Sequence, residues 1–131
     1  MAFEYSRKIR FHETDAAGVM YFANLMVLCH EAYEASLAAF GIDLREFFSS
    51  SGLSYPIVHA SMDFSHPLYC GDLGVVTVVP VQQTDSSFTL SYRLFCGSDS
   101  IAKAVTRHVC INRHRRKTAL PSQIIAWMAA L

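Results

Sequence analysis

Tyr21-Phe22-Ala23-Asn24-Leu25-Met26-Val27-Leu28-Cys29-His30-Glu31-Ala32-Tyr33-Glu34-Ala35-Ser36-Leu37-Ala38-Ala39-Phe40-Gly41 is the stretch on which the fold turns. Leu25, Leu28, Cys29, Ala32, Ala35, Ser36, Ala39 and Phe40 recur at helical spacing, and Gly41 supplies a C-terminal stop. Met26, Tyr33 and Leu37 carry apolar character round the opposite side. A helix of roughly five turns that is apolar over so much of its circumference is expected to be enclosed, and enclosing it takes a sheet.

Just before the helix, Phe11-His12-Glu13-Thr14-Asp15-Ala16-Ala17-Gly18-Val19-Met20 holds an isolated acid in a small-residue turn. Three features meet there: the Asp15 carboxylate, a Gly18 that permits close approach, and helix N–H groups with no partner inside the helix. Such groups, with the positive end of the helix dipole, suit an oxyanion. The competing reading of Asp15 is a turn or capping residue. Further upstream, residues 3 to 11 alternate at Phe3, Tyr5, Ile9 and Phe11, with Arg7 breaking the pattern, as a half-exposed first strand does.

Downstream, Asp43, Glu46, Ser49-Ser50-Ser51-Gly52 and Pro56 indicate a short helix and a loop within residues 42 to 56. From Ile57 the period becomes two. Strands are expected at about 57 to 65, 73 to 84, 87 to 97 and 101 to 112, with turns at Pro67 to Asp72, Asp85-Ser86 and Gly97 to Ser100. Pro121 and Ser122 open a short terminal helix through Ile124, Ile125, Trp127, Met128 and Leu131. One early strand, one long helix and four later strands make an α+β domain.

The whole chain sets bounds on this reading. Its 131 residues suffice for one domain with one core, and no second domain or linker is expected. With 52% hydrophobic residues, 17% charged and a mean hydropathy of +0.24, it is apolar for a soluble domain. That excess points to surface buried between subunits, hence a homo-oligomer. Eleven basic and eleven acidic residues cancel, which leaves no global field to hold nucleic acid or an anionic membrane. Cys29, Cys70, Cys96 and Cys110 are widely spaced and follow no secretory segment, so they read as reduced thiols of a cytoplasmic protein. The long apolar segment carries His30, Glu31 and Glu34, unlike a membrane span.

Hydrolase plans built on serine or cysteine lack support: there is no Gly-x-Ser-x-Gly elbow and no cysteine nucleophile motif. Six histidines include no HExxH and no tight His/Cys spacing, so no metal is expected. His59 and His108 fall in apolar strands, where a hydrogen-bonded strand or interface histidine competes with a donor to a ligand phenol. His30 and Glu31 suit a subunit interface, and Glu34 shares a helix face with His30. Asn112-Arg113-His114-Arg115-Arg116-Lys117 reads either as a solvated loop or as a clamp for the phosphates of a nucleotide-tailed cofactor.

The run Glu13 to Phe22, continued by Asn24 and by Cys29-His30-Glu31-Ala32-Tyr33-Glu34, resembles the hotdog-fold acyl-CoA thioesterases of the 4-hydroxybenzoyl-CoA thioesterase type. Pro56 to Phe64, Cys70-Gly71-Asp72 and His108 to Ile111 extend the resemblance over about residues 3 to 112. It implies an antiparallel sheet of about five strands wrapped around one long central helix, assembled as a dimer of dimers. It also implies that Asp15 is the catalytic acid, that the Phe22 backbone N–H is the oxyanion donor, and that Gly18 shapes the approach. Tyr21 and His59 would bind substrate, with Tyr21 and Phe22 otherwise core or interface aromatics, while Arg113, Arg115, Arg116 and Lys117 would hold the CoA phosphates. Met20 departs from the family's small β-branched residue there. The implied substrate is a dihydroxynaphthoyl-CoA ester of phylloquinone (vitamin K1) biosynthesis, cleaved without a metal or other cofactor. Another aryl or short-chain acyl-CoA, such as 4-hydroxybenzoyl-CoA, is the alternative. A non-catalytic acyl-CoA-binding module is the alternative of another class.

Overall fold

A computed structural model describes residues 2–49 and 52–131; Ser50 and Ser51, within the expected serine loop, lie outside the described residues. The elements in chain order are β1 (Phe3–Lys8), a 3-10 turn (Phe11–Glu13), α1 (Phe22–Ala39), α2 (Leu44–Phe47), β2 (Ile57–Phe64), β3 (Leu73–Gln83), β4 (Ser87–Cys96), β5 (Asp99–Val109) and α3 (Ser122–Ala130). The strands form one sheet in the order β1-β3-β4-β5-β2, antiparallel at each junction. Phe88, Leu90, Tyr92 and Leu94 of β4 and Ala102, Ala104, Thr106 and His108 of β5 are buried, while Arg93, Lys103 and Arg107 are exposed on the other face. This alternation is the period-two pattern expected of strands with one face on a core.

Helix α1 lies on the buried face and contributes Leu25, Leu28, Cys29, Ala32, Tyr33, Ser36 and Leu37 to the core. It is not enclosed as its sequence suggests. Ala23, Val27, His30, Glu34 and Ala38 form an open stripe, because the five strands cover only one side of the helix. The helix ends where Gly41 predicts: φ is +93° there, Gly41 N–H donates to Ala38 O at 3.0 Å, and Ile42 N–H donates to Leu37 O at 3.1 Å, a Schellman closure. Asp43 Oδ1 accepts from the Arg45 and Glu46 N–H groups and so caps α2.

Two further boundaries differ from the sequence reading. β1 stops at Lys8, and Phe11, expected as its last inward residue, opens the 3-10 turn with 81% of its surface exposed. The last strand runs from Asp99 to Val109, because its hairpin with β4 turns tightly at Gly97-Ser98. Gly74 on β3, opposite Arg7, brings the sheet close to the helix: a Cβ there would stand 3.3 Å from both Ile9 Cδ1 and Leu28 Cδ2.

An aromatic cluster binds α1 to β4, β5 and α3. The Tyr33 ring centroid lies 4.7 Å from His108 and 5.9 Å from Trp127, and Phe88 stacks on His108 at 4.7 Å. Trp127 Nε1–H donates to Ser36 Oγ at 3.2 Å. His108 Nδ1 sits 3.3 Å from the Tyr55 carbonyl, which can only accept, so Nδ1 carries the proton. Nε2 then accepts from Thr106 Oγ1 (3.0 Å), which accepts in turn from the Tyr92 hydroxyl (2.9 Å). Burial, with a smaller contribution from His30, lowers the His108 pKa to about 4. Both of its ring nitrogens are occupied, so it is a satisfied strand histidine with no donor left for a ligand.

Candidate active site

Residues 14 to 20 form a small closed loop. Thr14 and Met20 pair across its neck, Asp15 N–H donates to Val19 O (2.9 Å), and Gly18 N–H donates to Asp15 O (2.9 Å). Gly18 takes φ +80°, a conformation that a side chain would strain. Val19 pairs with Tyr69, and Met20 N–H donates to Leu68 O at 2.7 Å, which staples the loop to the segment before β3. Asp15 is exposed at the loop; its Oδ1 accepts the Ala17 N–H at 2.9 Å, and Oδ2 has no partner among the described residues. The turn role and the availability of a carboxylate oxygen therefore coexist in one residue.

The start of α1 is tied to the same loop by Glu13. Its carbonyl accepts the Tyr21 N–H (2.9 Å) and Asn24 Nδ2–H (3.0 Å). Tyr21, the N-cap residue, makes no side-chain capping bond to the helix, and the Phe22 and Ala23 N–H groups have no backbone acceptor among the described residues. The Phe22 ring, 59% exposed, lies 4.8 Å from Tyr21 and 6.2 Å from Phe64 at the end of β2. An exposed carboxylate two residues after Glu13 and a helix N-terminus held by the Glu13 carbonyl thus belong to one junction, with the Tyr21, Phe22 and Phe64 rings on its helix side.

Arg7 underlies this junction. Its Nη1 and Nη2 donate to the two Glu13 carboxylate oxygens at 2.8 and 2.6 Å, and its Nε and Nη2 donate to Glu31 at 2.6 and 3.0 Å. Glu31 also accepts the Tyr5 hydroxyl at 2.9 Å. The Arg7 hydrogen bonds, aided by the Arg10 N–H and opposed by burial, hold the Glu13 carboxyl down to about 2. The same partners raise the Arg7 pKa beyond its ordinary value. Sequence patterning registers Arg7 only as an interruption in β1, because its partners come from the loop and from α1.

The other expected site residues lie apart in the chain's own fold. Phe64 meets Phe22 on the helix side of the sheet; His59, five residues earlier and paired with Arg107, is exposed on the opposite face. Arg113, Arg115, Arg116 and Lys117 are exposed beyond the end of β5. Phe64 pairs with Ala102 near the start of that strand, so the basic run is roughly 20 Å or more from the junction at about 3.3 Å per residue. Asn112 Oδ1 organises the run by accepting the His114 and Arg116 N–H groups, and Arg113 and Arg115 line a groove with Tyr55, Pro56 and Ile111. Among the described residues no three His, Cys, Asp or Glu side chains gather as a metal site.

A family model described as the thioesterase-like superfamily matches residues 9–128. The chain is 45% identical over 129 residues to a 1,4-dihydroxy-2-naphthoyl-CoA hydrolase of Nostoc punctiforme, covering 98% of this chain and 87% of that protein. Its identity to the protein of the same name from Thermosynechococcus vestitus is 49% over 127 residues, covering 95% and 87%. The fold superposes on a 1,4-dihydroxy-2-naphthoyl-CoA thioesterase from Synechocystis with a TM-score of 0.94 and 34% identity, over 100% of this chain and 98% of that one.

Proposed function

The chain belongs to the thioesterase-like superfamily, and from that premise we propose that it hydrolyses 1,4-dihydroxy-2-naphthoyl-CoA to 1,4-dihydroxy-2-naphthoate and CoA, a step of phylloquinone (vitamin K1) biosynthesis. The observation that carries the reading is the Glu13 carbonyl, two residues before Asp15, which holds the Tyr21 N–H and Asn24 Nδ2–H at the start of α1, where the Phe22 and Ala23 N–H groups have no backbone acceptor among the described residues. The thioester carbonyl lies against the helix N-terminus, where the Phe22 N–H and the dipole stabilise the oxyanion; losing one such donor costs roughly 3 to 4 kcal/mol in other enzymes. Asp15 either takes a proton from a water that adds to the carbonyl, or attacks the carbonyl itself to give a mixed anhydride that water then opens. By either route the C–S bond breaks and CoA leaves as the thiolate, which is then protonated. Gly18 keeps the approach open, and Tyr21 and Phe22 pack on the naphthoyl ring.

The same proposal includes assembly as a dimer of dimers in the cytoplasm, for which two features of the chain speak. β2 is an edge strand with Ile57, Val58 and Phe64 exposed, and such edges are ordinarily paired or covered. All four cysteines are free. His59 and the basic run, remote from the junction of their own protomer, would serve the site of a second copy.

Thiol release from naphthoyl, hydroxybenzoyl and short aliphatic CoA esters, measured with wild type and Asp15→Asn, tests the reading. A naphthoyl preference reduced at least about a hundredfold in the variant is expected, as loss of acid–base catalysis implies. Preference for another ester would replace the substrate while leaving Asp15 in place. Tight ester binding without cleavage by wild type would favour an acyl-CoA-binding module.

A further inference from the structure

We propose that Arg7 is a positioning residue for this chemistry: by clamping Glu13 between β1 and α1 it sets where Asp15 stands relative to the Phe22 N–H. The inference rests on the assignment of Asp15 and Phe22 given above.

Three elements converge on one guanidinium. Arg7 comes from β1, Glu13 from the chain entering the Asp15 loop, and Glu31 from α1. With Nη1 also donating to Lys8 O at 3.1 Å, all five guanidinium donors have acceptors. A lysine has three donors on one point charge and cannot hold two carboxylates in this fork. The Arg7–Glu13 pair is sheltered, with 16% of the Arg7 side chain and 7% of the Glu13 side chain exposed, while the Glu31 side chain is 30% exposed.

Glu13 is the residue through which a shift here would reach the reacting groups. It precedes Asp15 by two residues, and its carbonyl holds the N–H of Tyr21, the residue just before Phe22. Its carboxylate, also bonded to the Arg10 N–H at 2.9 Å, fixes the peptide from which both of those connections start. Without Arg7, the Glu13 and Glu31 carboxylates would face each other without a counter-charge, and their repulsion would drive the loop away from α1. The acid would move with the loop and the oxyanion donor would stay with the helix. Small misplacements of that kind reduce turnover without weakening the contacts that bind the rest of a substrate.

The test uses the full chain, 1,4-dihydroxy-2-naphthoyl-CoA as probe, and the variants Arg7→Gln, Arg7→Lys, Asp15→Asn and Asp15→Asn with Arg7→Gln. Both Arg7 variants are expected to lose roughly 10- to 100-fold in kcat, with KM changed by less than about twofold. Adding Arg7→Gln to Asp15→Asn is expected to cost little more, since the clamp acts through the acid. Arg7→Lys keeps the charge and the aliphatic stem, so it reports on positioning even if Arg7→Gln fails to fold. Wild-type kcat in folded Arg7→Lys, a loss confined to KM, or a fully multiplicative loss in the double variant would each overturn the proposal. Normal turnover by Asp15→Asn would instead remove the assignment of the acid, an outcome read before any Arg7 variant is assayed.

Discussion

Helix α1 is anchored in two chemically opposite ways. Towards β1 it meets Arg7 through Glu31, in a half-sheltered cluster of one cation and two carboxylates. Towards β4, β5 and α3 it meets Phe88, His108 and Trp127 through Tyr33 and Ser36, in a buried cluster with no formal charge. The charged anchor is directional and lies beside the candidate catalytic junction; the aromatic anchor is large in area and remote from it. An enzyme must hold its reacting groups within a fraction of an ångström, and hydrogen-bonded forks fix angle as well as distance. Apolar packing supplies more stabilisation but sets orientation less strictly.

Trp127→Ala should produce the largest effect on stability, about 3 to 5 kcal/mol in denaturant unfolding, because a fully buried indole leaves a cavity and takes with it one of the two hydrogen bonds of the Ser36 hydroxyl. Below the unfolding transition its kcat should stay near wild type; a kcat loss as large as that of Arg7→Lys would erase the distinction between the anchors.

Acid separates the two by pH. His108 binds its proton at about 4 when folded and near 6.5 when unfolded, so its contribution is complete above pH 6.5 and is lost as pH falls towards 4. Glu13 titrates at about 2 when folded against 4.5 unfolded, so its contribution is complete above pH 4.5 and is lost only as pH falls from there towards 2. Between pH 6.5 and 4.5 thermal melts should therefore register the aromatic anchor alone, and His108→Gln should flatten that interval. Unchanged curvature in the variant would assign the acid sensitivity elsewhere.

The smallest expected effect sharpens the comparison at the aromatic end, where Arg113 and Arg115 share a groove with Tyr55. Arg113→Ala combined with Arg115→Ala should raise KM for the CoA ester about three- to tenfold, with kcat and the melting temperature nearly unchanged, if the run holds phosphates. An unaltered KM would leave it a solvated loop and that end of the molecule purely structural.

Much of this was legible from local pattern. The α1 periodicity, the Gly41 stop and the four later strands need only nearest-neighbour chemistry, and they agree with the structure to within two or three residues. Phe11 misleads because the apolar spacing of Ile9 and Phe11 prolongs the strand's alternation past Lys8 into a 3-10 turn. The open stripe on α1 escapes the sequence reading because Tyr33 and Leu37, taken with Met26 as apolar character on the opposite side, belong to the buried face, which leaves Ala23, Val27, His30, Glu34 and Ala38 uncovered. Arg7 exposes the deeper limit: its partners are 6 and 24 residues away, and periodicity carries no information about such separations. Asp15 and Gly18 were singled out by residue type, while the dependence of their loop on Glu13 needed coordinates.

Gly74 gives the molecule its thickness. It faces Arg7 across the β1–β3 ladder, and the side-chain carbons of Ile9 and Leu28 close over the space that one more methyl group would need. Seen this way, the glycine is a calibrated spacer: the reach of a guanidinium across the interlayer gap is set by the narrowest residue in the sheet.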